Sequence, residues 1–529
     1  MTHKTPVEAP RQDEALFLAA ETMSMAGRAP SRRALLGEAV RRHPDIAAAR
    51  IWHDRASGRD DPGYVHDLAL TLAGGSPDAD LPDWLVRARN RADDHAPYCA
   101  EELRRRLALT RTAPAADRDG PLCYVLHMSL PENGSGYAVR SHHLIRALQK
   151  DGLDLHCVTR LGFPGDIGQP SDAAAQIVDG VTYHRIRQPG KRGFRNMRYA
   201  AQAARVLAEE LAPLRPRAIM AASNHENAAP ALLAARHLGV PFIYEIRGFW
   251  ELSTLANNPG FDETERFRIL VEMETELARQ ADLVFTLTEA MRDELRRRGT
   301  GNPNIHILPN AADPGQFRHA PRDAELAARL DIPAGVPVIG YIGSFTSYEG
   351  LDDLVRAGVA LHRRGQDFRL LLVGSEPAYL EGRICPDLHE IAAEGGITDK
   401  LIMPGHVPVQ EVDRWYSLVD IVPITRKDLP VTRIVSPLKP LEAMAMEKCV
   451  VVTDLPALKE IVTHGETGIV VPGNDTGALA EALARLIADP DRRRALGQRA
   501  REKVVRDRNW DAIARSLRET AEETLAPGR

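Results

Sequence analysis

Between Leu122 and Val471 the chain spells one pattern twice: short, continuous apolar runs rich in β-branched residues, each followed by a longer stretch of helical periodicity. The first series is "CYVLHMS", "LHCVTR", "VTYHRI", "AIMAAS", "PFIYEI", "LVFTLT" and "IHILPN", ending at Asn310. The second is "VIGYIG", "RLLLVG", "LIMPG", "DIVPIT", "CVVVTD" and "GIVV". Strands apolar on both faces belong to parallel sheets covered by helices on both sides. With a break near "DPGQFRHAPRDAE", the pattern predicts an α/β chain of two Rossmann-like, doubly wound domains facing a cleft. Ligands of such sheets sit beyond the carboxyl ends of the strands, so the loops there are the places to look for chemistry.

The length agrees, since 529 residues exceed one ordinary core and call for roughly two to four domains. Residues 14 to about 110 carry apolar positions at helical spacing, as in "EALFLAAETMSMAGR" and "AEELRRRLALT", and predict an all-helical N-terminal extension. "RTAPAADRDGP" reads as the linker that follows it. A net charge of -5 gives no reason to expect a nucleic-acid partner. The five cysteines, Cys99, Cys123, Cys157, Cys385 and Cys449, are scattered without metal-ligand spacing, which fits a reduced cytoplasmic setting. The first residues, "MTHKTPVEAPRQDE", lack the apolar core of a secretory signal. No stretch reaches the ~18 to 20 apolar residues that span a bilayer. Arg185, Arg187, Lys191, Arg192, Arg195 and Arg198 crowd the segment Arg185 to Leu207. A solvated basic face is the simpler reading of it, and peripheral contact with a membrane surface is the alternative.

Several strand-end loops carry suitable groups. After the first strand, Gly134, Ser135 and Gly136 open a helix, where backbone amides can approach a phosphate with no Cβ in the way. "SNHEN" places His225 and Asn227 at one strand end, and "EIRGFWE" places Glu245, Arg247 and Glu251 at the next. Arginine can grip a phosphate or carboxylate through two hydrogen bonds, although an ion pair between Glu245 and Arg247 is equally compatible with the pattern. In the second series, Gly343 with Ser344, then Gly374, then Gly405 with His406, occupy successive strand ends. The segment "PITRKDLPVTRIVSPLKPLEAMA" gathers Arg426, Lys427, Arg433 and Lys439, a density of cations suited to a diphosphate. Glu442 lies in the first turn of the next helix, where it either complements the helix dipole or accepts hydrogen bonds from the vicinal hydroxyls of a ribose.

Together, "SGYAVRSHHLIRAL", "ILPNAADPGQF", "PLKPLEAMAMEKCVVVTD" and "KEIVTHGETGIVVPGND" resemble glycosyltransferase family 4, over about Leu122 to Trp510. The resemblance implies the GT-B fold, a nucleotide-sugar donor held by the second domain, an acceptor held by the first, and transfer with retention. The implied organisation is a helical extension over 1–115, an acceptor-side domain over 121–316, a donor-side domain over 317–505, and a helix crossing back over 506–529. By the same analogy Glu442 holds the ribose, and the backbone of the segment Ser436, Pro437 and Leu438 lies near sugar and phosphate with its amides. Gly374, Gly405, His406 and Val407 frame the base, and Ser135, Gly136, Gly343 and Ser344 approach the diphosphate. Lys439, Arg433 and Arg247 are the catalytic candidates, with Tyr137, Arg140, His225, Asn227 and Glu251 on the acceptor side.

The chain departs from the family in three places. The first of the family's two glutamates falls on Ile434, the arginine and lysine of its glycine turn fall on Ser344 and Glu349, and its histidine falls on Arg247. The expected activity is metal-independent, cofactor-free transfer of a hexose-type sugar, with UDP as the expected nucleotide, to a glycan or lipid-linked acceptor of surface polysaccharide synthesis. A sugar-nucleotide epimerase and a nucleotide-sugar-binding partner protein without catalysis are the alternatives. The N-terminal extension is read as a contact surface for a protein partner.

Overall fold

The computed structural model describes residues 99–110, 119–169, 171, 173–186, 197–377, 382, 384–408 and 411–525. The helical stretch expected before residue 99, the linker over 111–118, Arg187, Lys191, Arg192, Arg195 and the side chain of Arg198 lie outside the described residues. The chain divides into two compact units, residues 1–110 with 191–205, and residues 111–190 with 206–529. In the first, the helix Ala100–Leu109 carries Glu102 within 2.6 Å of Arg105 and 2.9 Å of Arg106, one turn on.

The second unit holds two sheets. Strands β1 (Leu122–Leu126), β2 (Leu155–Thr159), β3 (Ala175–Val178), β4 (Val181–His184), β5 (Ala218–Ala222), β6 (Phe242–Ile246), β7 (Leu283–Thr286) and β8 (Ile305–Ile307) form the first, in the order β3-β4-β2-β1-β5-β6-β7-β8. Every pairing in it is parallel except β3 with β4. Strands β9 (Val338–Ile342), β10 (Arg369–Val373), β11 (Leu401–Gly405), β12 (Ile421–Ile424), β13 (Cys449–Thr453) and β14 (Ile469–Val471) form the second, all parallel, in the order β11-β10-β9-β12-β13-β14. β1, β5, β6, β9, β12 and β13 are buried along their whole length, as strands covered on both faces must be. The extra strand relative to the sequence pattern is β3, an edge strand whose residues are half-buried or exposed.

Helices that position the site are α1 (Gly136–Lys150), α2 (His225–Leu238), α3 (Trp250–Asn257), α4 (Glu289–Arg297), α5 (Leu351–Arg363), α6 (Pro430–Ile434), α7 (Lys439–Ala445) and α8 (Trp510–Leu525). α8 follows the second sheet in sequence but packs on the first: Trp510, Ile513 and Leu517 are buried with Leu122, Tyr124 and Leu144. Burying each such large apolar side chain contributes about 1.5 to 3 kcal/mol, enough to hold the returning helix down. Among the parallel strands, the order reverses between β1 and β5 in the first sheet and between β9 and β12 in the second. Crevices open at such reversals because the flanking helices lie on opposite faces of the sheet.

Candidate active site

At the reversal of the second sheet, facing the start of α1, lies a cavity of about 450 Å³. Of the residues singled out from the sequence, Ser135, Gly136, Tyr137, Arg140 and Arg247 line it from the first domain. Gly343, Ser344, Gly374, His406, Val407, Ser436, Pro437, Leu438, Lys439 and Glu442 line it from the second. The loops meet closely, since a Cβ on Gly136 would stand 3.6 Å from Cδ1 of Leu438.

Lys439, the first residue of α7, runs across the end of β9. Only glycine at position 343 leaves room for it: φ there is +148°, and a Cβ would lie 2.1 Å from Cε of Lys439. The Lys439 Nζ stands 3.1 Å from Oε1 of Glu349 and 5.0 Å from the ring centre of Tyr341. Nη2 of Arg426 donates to the same Glu349 oxygen at 2.8 Å, and Nη1 donates to the carbonyl of Val435 at 3.0 Å. Glu349 is buried, and despite the cost of burial its two cations hold it at about 2. Burial in turn pushes Lys439 below its ordinary value, with Glu349 opposing. One carboxylate thus serves two cations, leaving this clamp with an excess of one positive charge.

The first domain repeats the arrangement. Glu245 is fully buried at the end of β6. Its Oε1 accepts from Nε and Nη2 of Arg140 at 3.0 and 2.8 Å, and its Oε2 accepts from Nη2 of Arg247 at 2.8 Å. The hydroxyl of Tyr124 also donates to Glu245. The two guanidinium groups hold Glu245 at about 2 against the effect of burial. Arg247 further donates to the carbonyl of Tyr137 at 2.9 Å and to Oγ of Ser141 at 2.8 Å, and lies 4.4 Å from the ring centre of Tyr137. Always protonated, it can supply charge here but not shuttle a proton.

The halves are joined through Asn310. Its Oδ1 accepts from Nη1 of Arg140 at 2.9 Å, and its Nδ2 donates to the carbonyl of Ser436 at 2.8 Å. Beside it, Oγ1 of Thr288 donates to the carbonyl of Ile434 at 2.5 Å. Glu442, one turn into α7, is half-buried and raised to about 7 by burial, with Lys439 and a hydrogen bond with Tyr416 pulling the other way.

The remaining sequence candidates are placed elsewhere. Arg433 is exposed and pairs with Asp428 at 2.5 Å, so the cation that joins Lys439 is Arg426. Gly405 ends β11 behind His406 and does not line the cavity. Nδ1 of His225 lies 3.1 Å from Glu274, Nδ2 of Asn227 donates to the carbonyls of Val125 and Ala222, and buried Glu251 pairs with Arg298 at 2.7 Å. Asn310 and the clamp formed by Glu349 were not selected from the sequence, and Arg426 was not separated there from the cations around it. Arg426 carried a signal as one of four neighbouring cations, whereas Glu349 was visible only as a mismatch.

The two-sheet architecture recurs in solved structures. Sucrose-phosphate synthase from Thermosynechococcus elongatus superposes with a TM-score of 0.63 at 20% identity, over 77% of this chain and 100% of that one. Anabaena HepE in complex with UDP superposes with a TM-score of 0.59 at 15% identity, over 76% and 100%. Residues 135–311 match the glycosyl transferase 4-like domain, and residues 336–489 match the glycosyl transferases group 1 model. The chain carries a GT-B glycosyltransferase. Among curated relatives, this glycosyltransferase is 28% identical to alpha-D-kanosaminyltransferase of Streptomyces kanamyceticus over 51% of its own chain and 67% of the relative. It is 31% identical to D-inositol 3-phosphate glycosyltransferase of Nocardia farcinica over 43% of its own chain and 49% of the relative. Among the described residues, no helix of the glycosyltransferase is long and apolar enough to cross a membrane.

Proposed function

We propose that this glycosyltransferase moves a hexose-type sugar with retention from a nucleotide-sugar donor, with UDP as the nucleotide, to a glycan or lipid-linked acceptor of surface polysaccharide synthesis. The observation that carries the donor reading is the pair of buried carboxylates, Glu245 and Glu349, each holding two cations at opposite walls of one cavity. The excess of one positive charge in each clamp together matches the charge of a diphosphate diester, and such preorganised charge is usually the largest catalytic term available. The solved structure of HepE with UDP is consistent with a nucleotide in this architecture.

In this reading Lys439 and Arg426 face the diphosphate from below, with the amides at Ser135 and Gly136 above. Glu442 accepts from the ribose hydroxyls, and Gly374, His406 and Val407 frame the base. As the sugar–phosphate bond lengthens, negative charge grows on the departing phosphate, where Lys439 and Arg426 stabilise it. The departing oxygen takes the proton of the attacking hydroxyl on the same face, so no side-chain base is needed and the configuration is retained. The cations of this chain do the work that a metal would otherwise do.

The test is to incubate the purified protein, with and without added EDTA, with UDP-, GDP- and TDP-sugars, alone and with glycan and glycolipid acceptors, and follow nucleotide release. Acceptor-dependent release from a UDP-sugar, unaffected by EDTA and giving an α-linked product, is expected. Release of UDP with free epimerised sugar would establish the epimerase instead, and tight nucleotide binding without turnover in any combination would refute transfer.

A further inference from the structure

The cavity occupies the strand-order reversal of the second sheet, but the first sheet has a reversal of its own, between β1 and β5. His127 follows β1 directly, and His225 opens α2 after β5. Across them lies Trp250, the first residue of α3 after β6, its indole perpendicular to both imidazoles, with centroids 5.5 Å from His127 and 6.2 Å from His225. Trp250 is 41% exposed, and every other phenylalanine, tyrosine and tryptophan among the described residues is buried or half-buried. Such exposure is not explained by packing, because its neighbours Phe249 and Glu251 are buried. Nor is the site purely apolar: the His127 ring is buried, and its Nδ1 has no hydrogen-bond partner.

The position relates this group to the donor cavity without making it part of it. His127 stacks edge-on with Tyr137 at 6.2 Å, and Tyr137 lines the cavity, whereas Trp250, His127 and His225 do not. Helix α3 packs against α6 of the second domain, and Asn257 at its far end lies 3.0 Å from Oγ of Ser347. Trp250 is thus linked to the cavity through two ring contacts, with His127 between it and Tyr137.

We propose that Trp250, backed by His127 and His225, is the acceptor platform: a binding surface on which a six-membered polyhydroxylated ring, pyranose or cyclitol, stacks by its axial C–H face. This rests on the donor reading above for the identity of the neighbouring cavity. A flat, exposed indole held edge-on by two imidazoles offers an apolar face to such a ring. An acyclic polyol of equal polarity lacks the rigid face and should not stack.

The experiment is saturation-transfer NMR on the full chain with saturating UDP, using methyl α-D-glucopyranoside, myo-inositol and the acyclic control sorbitol. UDP affinity is read separately by calorimetry, which checks both folding and the donor reading. Saturable binding of at least one ring probe, with none for sorbitol, is expected; which probe binds distinguishes a pyranose from a cyclitol acceptor. Trp250→Ala should weaken that binding by about tenfold or more, and Trp250→Phe should restore most of it, as stacking requires. If neither ring probe binds the wild type, if both bind Trp250→Ala as well as wild type, or if sorbitol binds equally, the proposal is overturned. A change of sedimentation in Trp250→Ala with ring binding intact would also overturn it, in favour of a protein contact. Failure of UDP to bind the wild type, with ring binding intact, would refute the donor reading and leave the platform standing.

Discussion

Replacing Glu349 by glutamine isolates what one shared carboxylate does for two cations. The change keeps the shape of the side chain but leaves Lys439 and Arg426 facing each other across a neutral amide in a buried site. The carboxyl lies at about 2 instead of its ordinary 4.5. At about 1.4 kcal/mol per unit, its charged form contributes about 3 kcal/mol to folding near neutral pH. For a domain of this size that corresponds to a loss of roughly 6 to 12 °C in melting temperature. Because the folded value is depressed, the contribution is complete above 4.5 and fades as pH falls from there towards about 2. The gap between variant and wild type should therefore close on acidification. A diphosphate bound between the cations supplies the missing negative charge, so UDP should raise the melting temperature of Glu349→Gln by more than it raises that of the wild type. Thermal melts at pH 3 and pH 7.5, with and without UDP, read all three effects. A variant that melts within a degree of wild type at pH 7.5, with an unchanged response to UDP, would refute the idea that Glu349 is the counter-charge of a diphosphate site.

Arg426→Ala should weaken UDP binding by at least tenfold while Arg433→Ala stays within about twofold, since only Arg426 lines the cavity; calorimetry compares them, and equal losses would restore Arg433 to the site. Glu442 sits at about 7, so if its carboxylate receives the ribose hydroxyls, UDP-glucose affinity should fall about tenfold between pH 8 and pH 6. Glu442→Gln should flatten that profile, and a wild-type profile that is already flat would refute the ribose assignment. Gly343→Ala places a methyl 2.1 Å from Cε of Lys439 at a φ that disfavours side chains, so turnover should fall by at least a hundredfold with the fold retained by circular dichroism; near-normal turnover would mean that Lys439 need not cross there.

What the sequence reveals follows from what each feature requires physically. Doubly buried parallel strands must be continuously apolar, so runs such as "CYVLHMS" and "CVVVTD" announce both sheets. The edge strand β3, half-exposed along "AQIV", has no such requirement and leaves no pattern. The site is legible where backbone chemistry dictates residue type, as at Gly343, Gly374 and Ser135–Gly136, all of which reach the cavity. It is not legible where a charge must choose a partner. Arg426, Lys427, Arg433 and Lys439 look equivalent along the chain, yet Lys427 pairs with Asp352, Arg433 with Asp428, and only Arg426 and Lys439 turn inward to Glu349. For Lys427, Arg426 and Lys439 the choice depends on carboxylates 75 to 90 residues away along the chain, while Arg433 is claimed by Asp428 close beside it. Similarly, Glu251 and His225 stand at strand ends as a ligand-binding residue would, but Arg298 and Glu274 claim them.

The departures from the family pattern also make sense as one substitution of wiring. With glutamate at position 349, no cation can come from the glycine turn, and Glu349 would repel a diphosphate if it stood alone. Arg426 and Lys439 reverse the sign of that wall by one unit, and the wall opposite does the same through Glu245, Arg140 and Arg247. A wall built from paired charges costs more to assemble than a single lysine, but its cations are held in place before the donor arrives, as electrostatic catalysis requires. Asn310 then carries the consequence across the cleft. Its amide accepts from Arg140 in one clamp and donates to Ser436, three residues before Lys439 of the other. A shift of either wall must strain this amide, and with the Thr288 bond to Ile434 beside it, its two hydrogen bonds tie the spacing of the clamps to the contact between the domains. Asn310→Ala should therefore lower turnover more than it lowers UDP affinity, because binding needs the charges whereas transfer needs their separation; equal losses in both would show that Asn310 holds the fold and not the spacing.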